Sequence, residues 1–313
     1  MRVLDDRRTA EGTGVVARQE TRVAVDDREL TLSNLDKVLF PASGFTKGQL
    51  IDYYAKVAHV MLPHVADRPL TMKRYPDGVD KKFFYEKHVP SHAPAWVRTA
   101  AVPTGDDDEV VDYVLVSDLA TLVWAANLGT IEFHVPLWRA GKRRRLPAPP
   151  DLIVFDLDPG EGATLVECCE VALLVDDLLR GRGFDTRVKT SGSKGVQVYA
   201  PLGGRPTWDR SRADAHEVAT ELERQHPALI TSNMKKTLRR HKVLIDWSQN
   251  HPSKTTVGVY SVRGRPRPTV STPVTWDEVH RCAEAGDPEL LRFTADQVLE
   301  RVARNGDLFG ALA

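Results

Sequence analysis

Apolar positions along the chain change their spacing several times, and each change marks an element. Val23 and Val25, then Leu30 and Leu32, alternate with polar neighbours around Asp26-Asp27, the pattern of a hairpin. Residues before about Thr21 show no apolar period, so 1–28 are read as an N-terminal extension or mobile arm. Thr46-Lys47-Gly48-Gln49 is a capping box, and Leu50, Tyr53, Tyr54 and Val57 follow it at helical spacing. Pro69 to Arg74 reads as a strand, and Pro76 to His92 as a loop rich in aromatic and charged residues. Val110 to Val116 is a strand. Ser117 is the expected cap of a helix through Leu122, Val123 and Ala126, and Ile131 to Val135 forms a further strand. Pro147, Pro149 and Pro150 mark a connector.

The second half is more regular. Leu152 to Phe155 is an uninterrupted apolar run, the pattern of a strand covered on both faces. A helix opens at Thr164, turns Val166, Val171, Leu174, Leu178 and Leu179 inward, and stops at Gly181 and Gly183. Thr186 to Val188 and Val196 to Tyr199 are strands separated by the loop Thr190-Ser191-Gly192-Ser193-Lys194-Gly195. Arg210 to Gln225 is an amphipathic helix, and Val243 to Ile245 and Thr255 to Val262 are strands. Capping boxes at Thr275…Glu278 and Thr294…Gln297 open two short helices, and Gly306 ends the second. Strands and helices interleave in mixed order, which places the chain in the α/β or α+β class.

Composition adds exclusions. The 313 residues are 42% apolar and 27% charged, as in ordinary globular proteins, and can bury a sizeable core as one domain or two joined lobes. The formal net charge is zero, which weakens a nucleic-acid reading slightly, but the charge is unevenly placed. Lys142 to Arg145 form one basic run; Lys235, Lys236, Arg239, Arg240, His241 and Lys242 form another. Either run alone would be a solvated face. The cysteines, Cys168, Cys169 and Cys282, form no C-x-x-C pair, so neither a zinc site nor a disulfide framework is expected and the chain reads as intracellular. No apolar run approaches the length of a membrane span, and the N-terminus has no apolar signal core.

The strongest chemical signal is Val154-Phe155-Asp156-Leu157-Asp158-Pro159-Gly160. Side chains alternate along a strand, so Asp156 and Asp158 share one face. Two carboxylates together at a strand end repel each other, and a divalent cation relieves that repulsion. Val243-Leu244-Ile245-Asp246 delivers a third carboxylate in the same way, although Asp246 alone would pass as structural. Three carboxylates on neighbouring strands suit phosphoryl transfer assisted by two metal ions. The Ser191-to-Gly195 loop adds small residues whose N–H groups can approach phosphate, and Lys194 adds a point charge. The loop lacks P-loop spacing and by itself would be an ordinary turn.

In this order the three motifs resemble the archaeo-eukaryotic primase superfamily, and most closely the polymerase domain of bacterial ligase D. The resemblance runs from about Leu32 to the C-terminus. It is supported by Ser33 to Pro41, Lys73 to Gly78, Phe83 to Lys87, Phe133 to Pro136 and Asp246 to Asn250. It implies an α+β primase-polymerase fold, with central mixed or antiparallel sheets flanked by helices. The corresponding domain is 29–313, in two closely packed lobes, 29–150 and 151–313. The implied activity is DNA-templated nucleotide addition that fills gaps in end joining, with a preference for ribonucleotides and for two manganese (or magnesium) ions. By resemblance Asp156, Asp158 and Asp246 are the metal ligands. Lys73, His134, Ser191, Lys194 and Arg263 contact the nucleotide, with Gln249 beside them. Asn34, Lys37 and Lys47 grip a 5′-phosphate; Phe84 and Tyr85 stack on template bases, with Phe83 as a rival; Lys236 and Arg239 touch template or primer.

One position departs from the family, which usually has a histidine where this chain has Gln197. Strand alternation puts Gln197 on the nucleotide-facing side, where it cannot become cationic. The chain ends soon after the polymerase region, so ligase activity is expected from a partner, alongside a Ku-type end-binding protein; a bacterial cytoplasmic, nucleoid-associated location follows. Two rivals remain. A haloacid-dehalogenase-type phosphatase shares D-x-D after an apolar strand, but Pro159-Gly160 argues against it. A non-catalytic DNA end-bridging protein would gain nothing from three clustered carboxylates.

Overall fold

The structure is a computed structural model and describes residues 1–7, 20–104, 109–140 and 147–310. The basic run Lys142 to Arg145 lies outside the described residues. In chain order the first half comprises β1 (Arg2–Arg7), β2 (Glu20–Val25), β3 (Arg28–Ser33), β4 (Val38–Phe40), β5 (Phe45–Thr46), α1 (Lys47–Val65), β6 (Thr71–Arg74), β7 (Phe84–Glu86), β8 (Thr99–Thr104), β9 (Glu109–Val114), α2 (Leu119–Asn127) and β10 (Thr130–Val135). The second half comprises β11 (Leu152–Pro159), α3 (Leu165–Gly181), β12 (Arg187–Thr190), β13 (Val196–Pro201), α4 (Trp208–Gln225), β14 (Ile230–Thr231), β15 (Val243–Asp246), β16 (Thr256–Val257), β17 (Pro273–Val274), α5 (Trp276–Ala285) and α6 (Ala295–Asn305).

Two sheets carry the architecture. One has the order β16-β10-β6-β7; the other has the order β14-β15-β11-β13-β12-β17 and is antiparallel except for β14 against β15. The class is thus α+β, as the resemblance implied. Two large cores flank the six-stranded sheet. Leu152 and Val154 of β11 join the first core, with α1, α2 and β10; Ile153, Phe155 and Leu157 join the second, beneath α3, α4 and α5. That is why the run from Leu152 to Phe155 is apolar throughout: both faces of β11 are covered.

Local chemistry explains most boundaries. Thr46 accepts from the Gln49 N–H and Gln49 returns a bond to the Thr46 N–H, so α1 starts where the capping box places it. The boxes at Thr164, Thr275 and Thr294 act in the same way. Asp26 adopts φ +52° in the turn that pairs β2 with β3, forming the expected hairpin.

Several expectations need correction. Residues 2–7 are not an arm but a strand paired with β2; Val3 and Leu4 are exposed, so β1 is held by backbone hydrogen bonds and leaves no apolar period. The helix α2 is capped by Asp118, which accepts from the Thr121 N–H, rather than by Ser117. The loop from Pro76 to His92 contains β7, and β8 was not anticipated. The strand expected over Thr255 to Val262 is only β16, because the backbone turns at Tyr260, at φ +64°. The first core also takes in Val259, Tyr260, Val262, Val270 and the inner face of α6, so a lobe division at residue 150 does not follow the cores.

Candidate active site

The even-numbered residues of β11 face the first core, and where that core ends they are aspartates. Cross-strand register lines up Lys189 of β12, Gln197 of β13, Asp156 of β11 and Asp246 of β15 in one row across the sheet. Asp158 lies two residues further along β11, on the same face and exposed. Burial pushes the Asp156 carboxyl up to about 7, helped by the charges of Asp158 and Asp246. Asp158 is raised as well: the residue is exposed overall, but its carboxyl lies in the cavity wall, where it loses water, and Asp246 adds repulsion.

This donor set has the chemistry of a divalent-cation site: hard oxygen ligands whose mutual repulsion a cation would relieve. As they stand, no three His, Cys, Asp or Glu side chains among the described residues converge tightly enough to hold an ion. The carboxylates are instead held by neighbouring donors. Asp246 accepts from the Ser248 N–H (3.0 Å), the Ser248 hydroxyl (2.6 Å) and Gln249 Nε2 (3.0 Å), while Asp156 accepts from Gln197 Nε2 (3.0 Å). The residues fit the group once these partners release oxygen lone pairs.

Gln197 lies on the anticipated face, but it is buried and committed. Its Oε1 accepts from Lys189 Nζ, and its amide donates to Asp156. Lys189 is fully buried and also donates to the Val257 carbonyl (3.1 Å) and the Ser271 hydroxyl (2.7 Å). Burial lowers the Lys189 ammonium to about 7, against the pull of Asp156. Gln197 therefore links a buried lysine to the carboxylate row rather than presenting a free amide to a ligand.

Opposite the aspartates stands a cationic wall. A cavity of about 360 Å³ has Asp156 and Asp158 on one side and His134, Lys194, Arg263 and Arg239 among its other lining. Lys73, His134 and Arg263 converge on a residue the sequence reading missed, Glu132, which is only 1% exposed. Its Oε1 accepts from Lys73 Nζ (3.0 Å), the Tyr75 hydroxyl (3.1 Å) and the Gly264 N–H (3.1 Å); its Oε2 bonds His134 Nε2 (2.9 Å) and Arg263 Nε (3.1 Å). Burial alone would raise Glu132, but His134, Arg263 and Lys73 outweigh it and hold the carboxyl far below the usual carboxylate range. His134 is lowered, chiefly by burial. The only sequence signal for Glu132 is an acid between Ile131 and Phe133 in a buried strand.

The Ser191-to-Gly195 loop closes the cavity. Ser191 Oγ accepts from the N–H groups of Ser193 and Gly195, and Arg263 donates to the Ser191 carbonyl. Lys194 is exposed at the rim. A Cβ on Gly195 would lie 2.1 Å from the Leu157 carbonyl oxygen, so only glycine lets the loop lie this close to β11. Likewise a Cβ on Gly160 would lie 1.7 Å from the Arg239 carbonyl oxygen; the glycine brings the second basic run against the end of β11, with Arg239 in the cavity wall. Lys236 is exposed on the same segment. Gln249 sits against Asp246 with its own Oε1 buried and unpartnered.

Asn34, Lys37 and Lys47 form a separate cluster that does not line the cavity. The Lys37 N–H donates to the Asn34 carbonyl and the Lys47 N–H to the Lys37 carbonyl; Lys47 Nζ donates to the Ser33 carbonyl at 2.6 Å. Lys37 Nζ pairs with exposed Asp77 at 2.7 Å. The three aromatics divide by strand alternation. Phe83 and Tyr85 face Lys73 and His134, with Lys73 Nζ 4.3 Å from the Phe83 ring centre and the Tyr85 and His134 ring centres 6.1 Å apart. Phe84 turns the other way, over Arg74. All three are exposed.

Comparison with known proteins identifies the family. Residues 46–309 match the family described as the LigD primase-polymerase domain. The chain is 45% identical over 293 residues to the multifunctional non-homologous end joining DNA repair protein LigD of Mycobacterium tuberculosis, covering 92% of this chain and 38% of that protein. It is 31% identical over 279 residues to the bifunctional LigD of Bacillus subtilis, covering 43% of that protein. The chain thus spans roughly two fifths of the length of these relatives. Among solved structures, the polymerase domain from Mycobacterium tuberculosis ligase D in complex with DNA superposes with a TM-score of 0.84 at 45% identity, covering 90% of this chain and 97% of that one. The chain belongs to the LigD primase-polymerase family, a family of nucleotidyltransferases of end-joining DNA repair.

Proposed function

We propose that this chain extends primer ends and fills short gaps on a DNA template while broken ends are held together. The supporting observation is one cavity lined by Asp156 and Asp158 together with His134, Lys194 and Arg263, with Asp246 beside Asp156 on the neighbouring strand. A nucleoside triphosphate brings phosphates for the cations and a reacting phosphorus for the carboxylate side. Bound Mn²⁺ or Mg²⁺, two ions in our reading, would neutralise the developing charge and activate the attacking hydroxyl. Asp156, Asp158 and Asp246 would hold them. Lys73, His134 and Arg263 grip the triphosphate, with Ser191 and Lys194 closing over it and Gln249 beside Asp246. Phe84 and Tyr85, with Phe83 as the rival, offer sequence-tolerant stacking surfaces for template bases; Phe83 and Tyr85 face Lys73 while Phe84 faces Arg74, and Lys236 and Arg239 line the path of template or primer. Asn34, Lys37 and Lys47 form the 5′-phosphate pocket, with Lys37 leaving Asp77 for the phosphate. A ribonucleotide preference, recruitment by a Ku-type protein, completion of the join by a ligase activity and a nucleoid-associated location belong to the same reading. Among the described residues no helix is long and apolar enough to cross a membrane.

The test is extension of a gapped, 5′-phosphorylated duplex with labelled rNTP or dNTP in Mn²⁺ or Mg²⁺. Template-dependent addition is expected, abolished by Asp156→Ala or Asp246→Ala with DNA binding largely retained. Near-parental extension by either variant would sink the metal assignment.

A further inference from the structure

Glu132 has five donors sharing its two oxygens: two belong to the cationic side chains Lys73 and Arg263, and a third to the His134 imidazole. Those three side chains arrive from three places in the chain: Lys73 from β6, His134 from β10 itself, and Arg263 from the segment after β16. Side chains of this length, left to themselves, would repel one another and each sample several rotamers. Fixing each costs conformational entropy when a ligand binds. The carboxylate removes both difficulties, because every donor has a defined oxygen to point at. Tyr75 and the Gly264 N–H hold the carboxylate from behind, so it cannot swing into the cavity to replace a phosphate.

We propose that Glu132 is a positioning residue that pre-organises Lys73, His134 and Arg263 as a single triphosphate-binding surface. The proposal rests on the reading of the cavity as a nucleoside-triphosphate site. Its chemistry makes Glu132→Gln informative. A carboxylate offers acceptors on both oxygens, whereas glutamine offers one acceptor and one donor. Whichever way the amide turns, its NH₂ confronts a set of donors: Lys73, Tyr75 and Gly264, or His134 and Arg263. At least one cation must leave its place while the backbone stays as it was.

The experiment measures binding of a fluorescent nucleoside triphosphate and its displacement by inorganic tripolyphosphate, without turnover, beside steady-state addition on gapped DNA. For Glu132→Gln the expected result is weakening of both ligands by about 10-fold or more, a matching rise in KM and a kcat within about 3-fold of the parent. Affinity for gapped DNA should not change. Glu132→Asp keeps both oxygens and should lose less. Unchanged triphosphate and tripolyphosphate binding in folded Glu132→Gln, or tighter binding, overturns the proposal and leaves Glu132 a purely structural ion-pair centre. If Glu132→Gln does not fold, an unchanged KM in Glu132→Asp overturns it. A parent that binds no triphosphate would instead refute the reading of the cavity.

Discussion

Asp156→Asn isolates the electrostatic cost of the carboxylate row. Burial and its neighbours raise the Asp156 carboxyl to about 7 without metal, against roughly 3.9 in an unfolded chain. Between those values the folded state holds a proton that the unfolded state has lost, so stability falls as pH rises through this window. A shift of about three units corresponds to a ceiling of about 4 kcal/mol, and solvent at this half-buried position reduces it to about 2 kcal/mol. With roughly 2.1 cal/mol/K of unfolding entropy per residue over 313 residues, that is about 3 °C in Tm. Asparagine keeps an acceptor for Gln197 and cannot ionise. About two of those three units lie above pH 5, so in metal-free buffer the parent should lose about 2 °C relative to Asp156→Asn between about pH 5 and pH 8. Adding Mn²⁺ at pH 8 should restore the parent and leave the variant unchanged, because the cation replaces the proton as the compensating charge. Scanning calorimetry at several pH values, with and without metal, measures both effects. Parallel curves for the two proteins would refute the reasoning.

Other perturbations separate neighbouring roles. Lys189→Met removes the buried donor of the Val257 carbonyl and leaves Gln197 Oε1 only the long bond from the Tyr199 hydroxyl (3.4 Å), and should cost about 2–4 kcal/mol in denaturant unfolding, with a reduced rate of nucleotide addition because Gln197 holds Asp156 less firmly. Gln197→His places an imidazole beside the Lys189 ammonium, which keeps it neutral; the ratio of nucleotide KM at about pH 6 to that at about pH 8 should match the parent, and a changed ratio would mean that the side chain reaches the phosphates. Gly195→Ala must push the loop off the Leu157 carbonyl and should raise nucleotide KM, whereas Gly203→Ala, with open space around its Cβ position, should be silent in the same assay.

Alternation along the strands made the acidic half of the site legible, whereas Lys73, His134 and Arg263 were named only through the family resemblance and Glu132 not at all, for a physical reason. Asp156 and Asp158 follow from local alternation, which needs only consecutive residues. Glu132 is defined by partners at positions 73, 75, 134, 263 and 264, and no periodicity joins these. Gln197 shows the same limit: alternation chose its face correctly but could not name Lys189 as the partner that occupies it. The strand β7 was hidden because its exposed aromatics look like a loop until β6 pairs with them. Capping boxes were legible because they are complete within four residues, whereas β1 is defined by its pairing with β2 and leaves no pattern of its own.

Because β11 is gripped by a core on each side, it has no face into which it can relax. Bending it to tighten around a substrate would open voids in two interiors at once. Any closure during a catalytic cycle must therefore come from parts that the cores do not hold: the Ser191-to-Gly195 loop and the basic segment around Arg239. Two of the three acids, Asp156 and Asp158, thus sit on a fixed anvil, and the moving parts are the ones that carry positive charge. Substrate selection by shape would then be exercised at those loops, and sequence change there could retune the enzyme for a different end or nucleotide without disturbing the carboxylates.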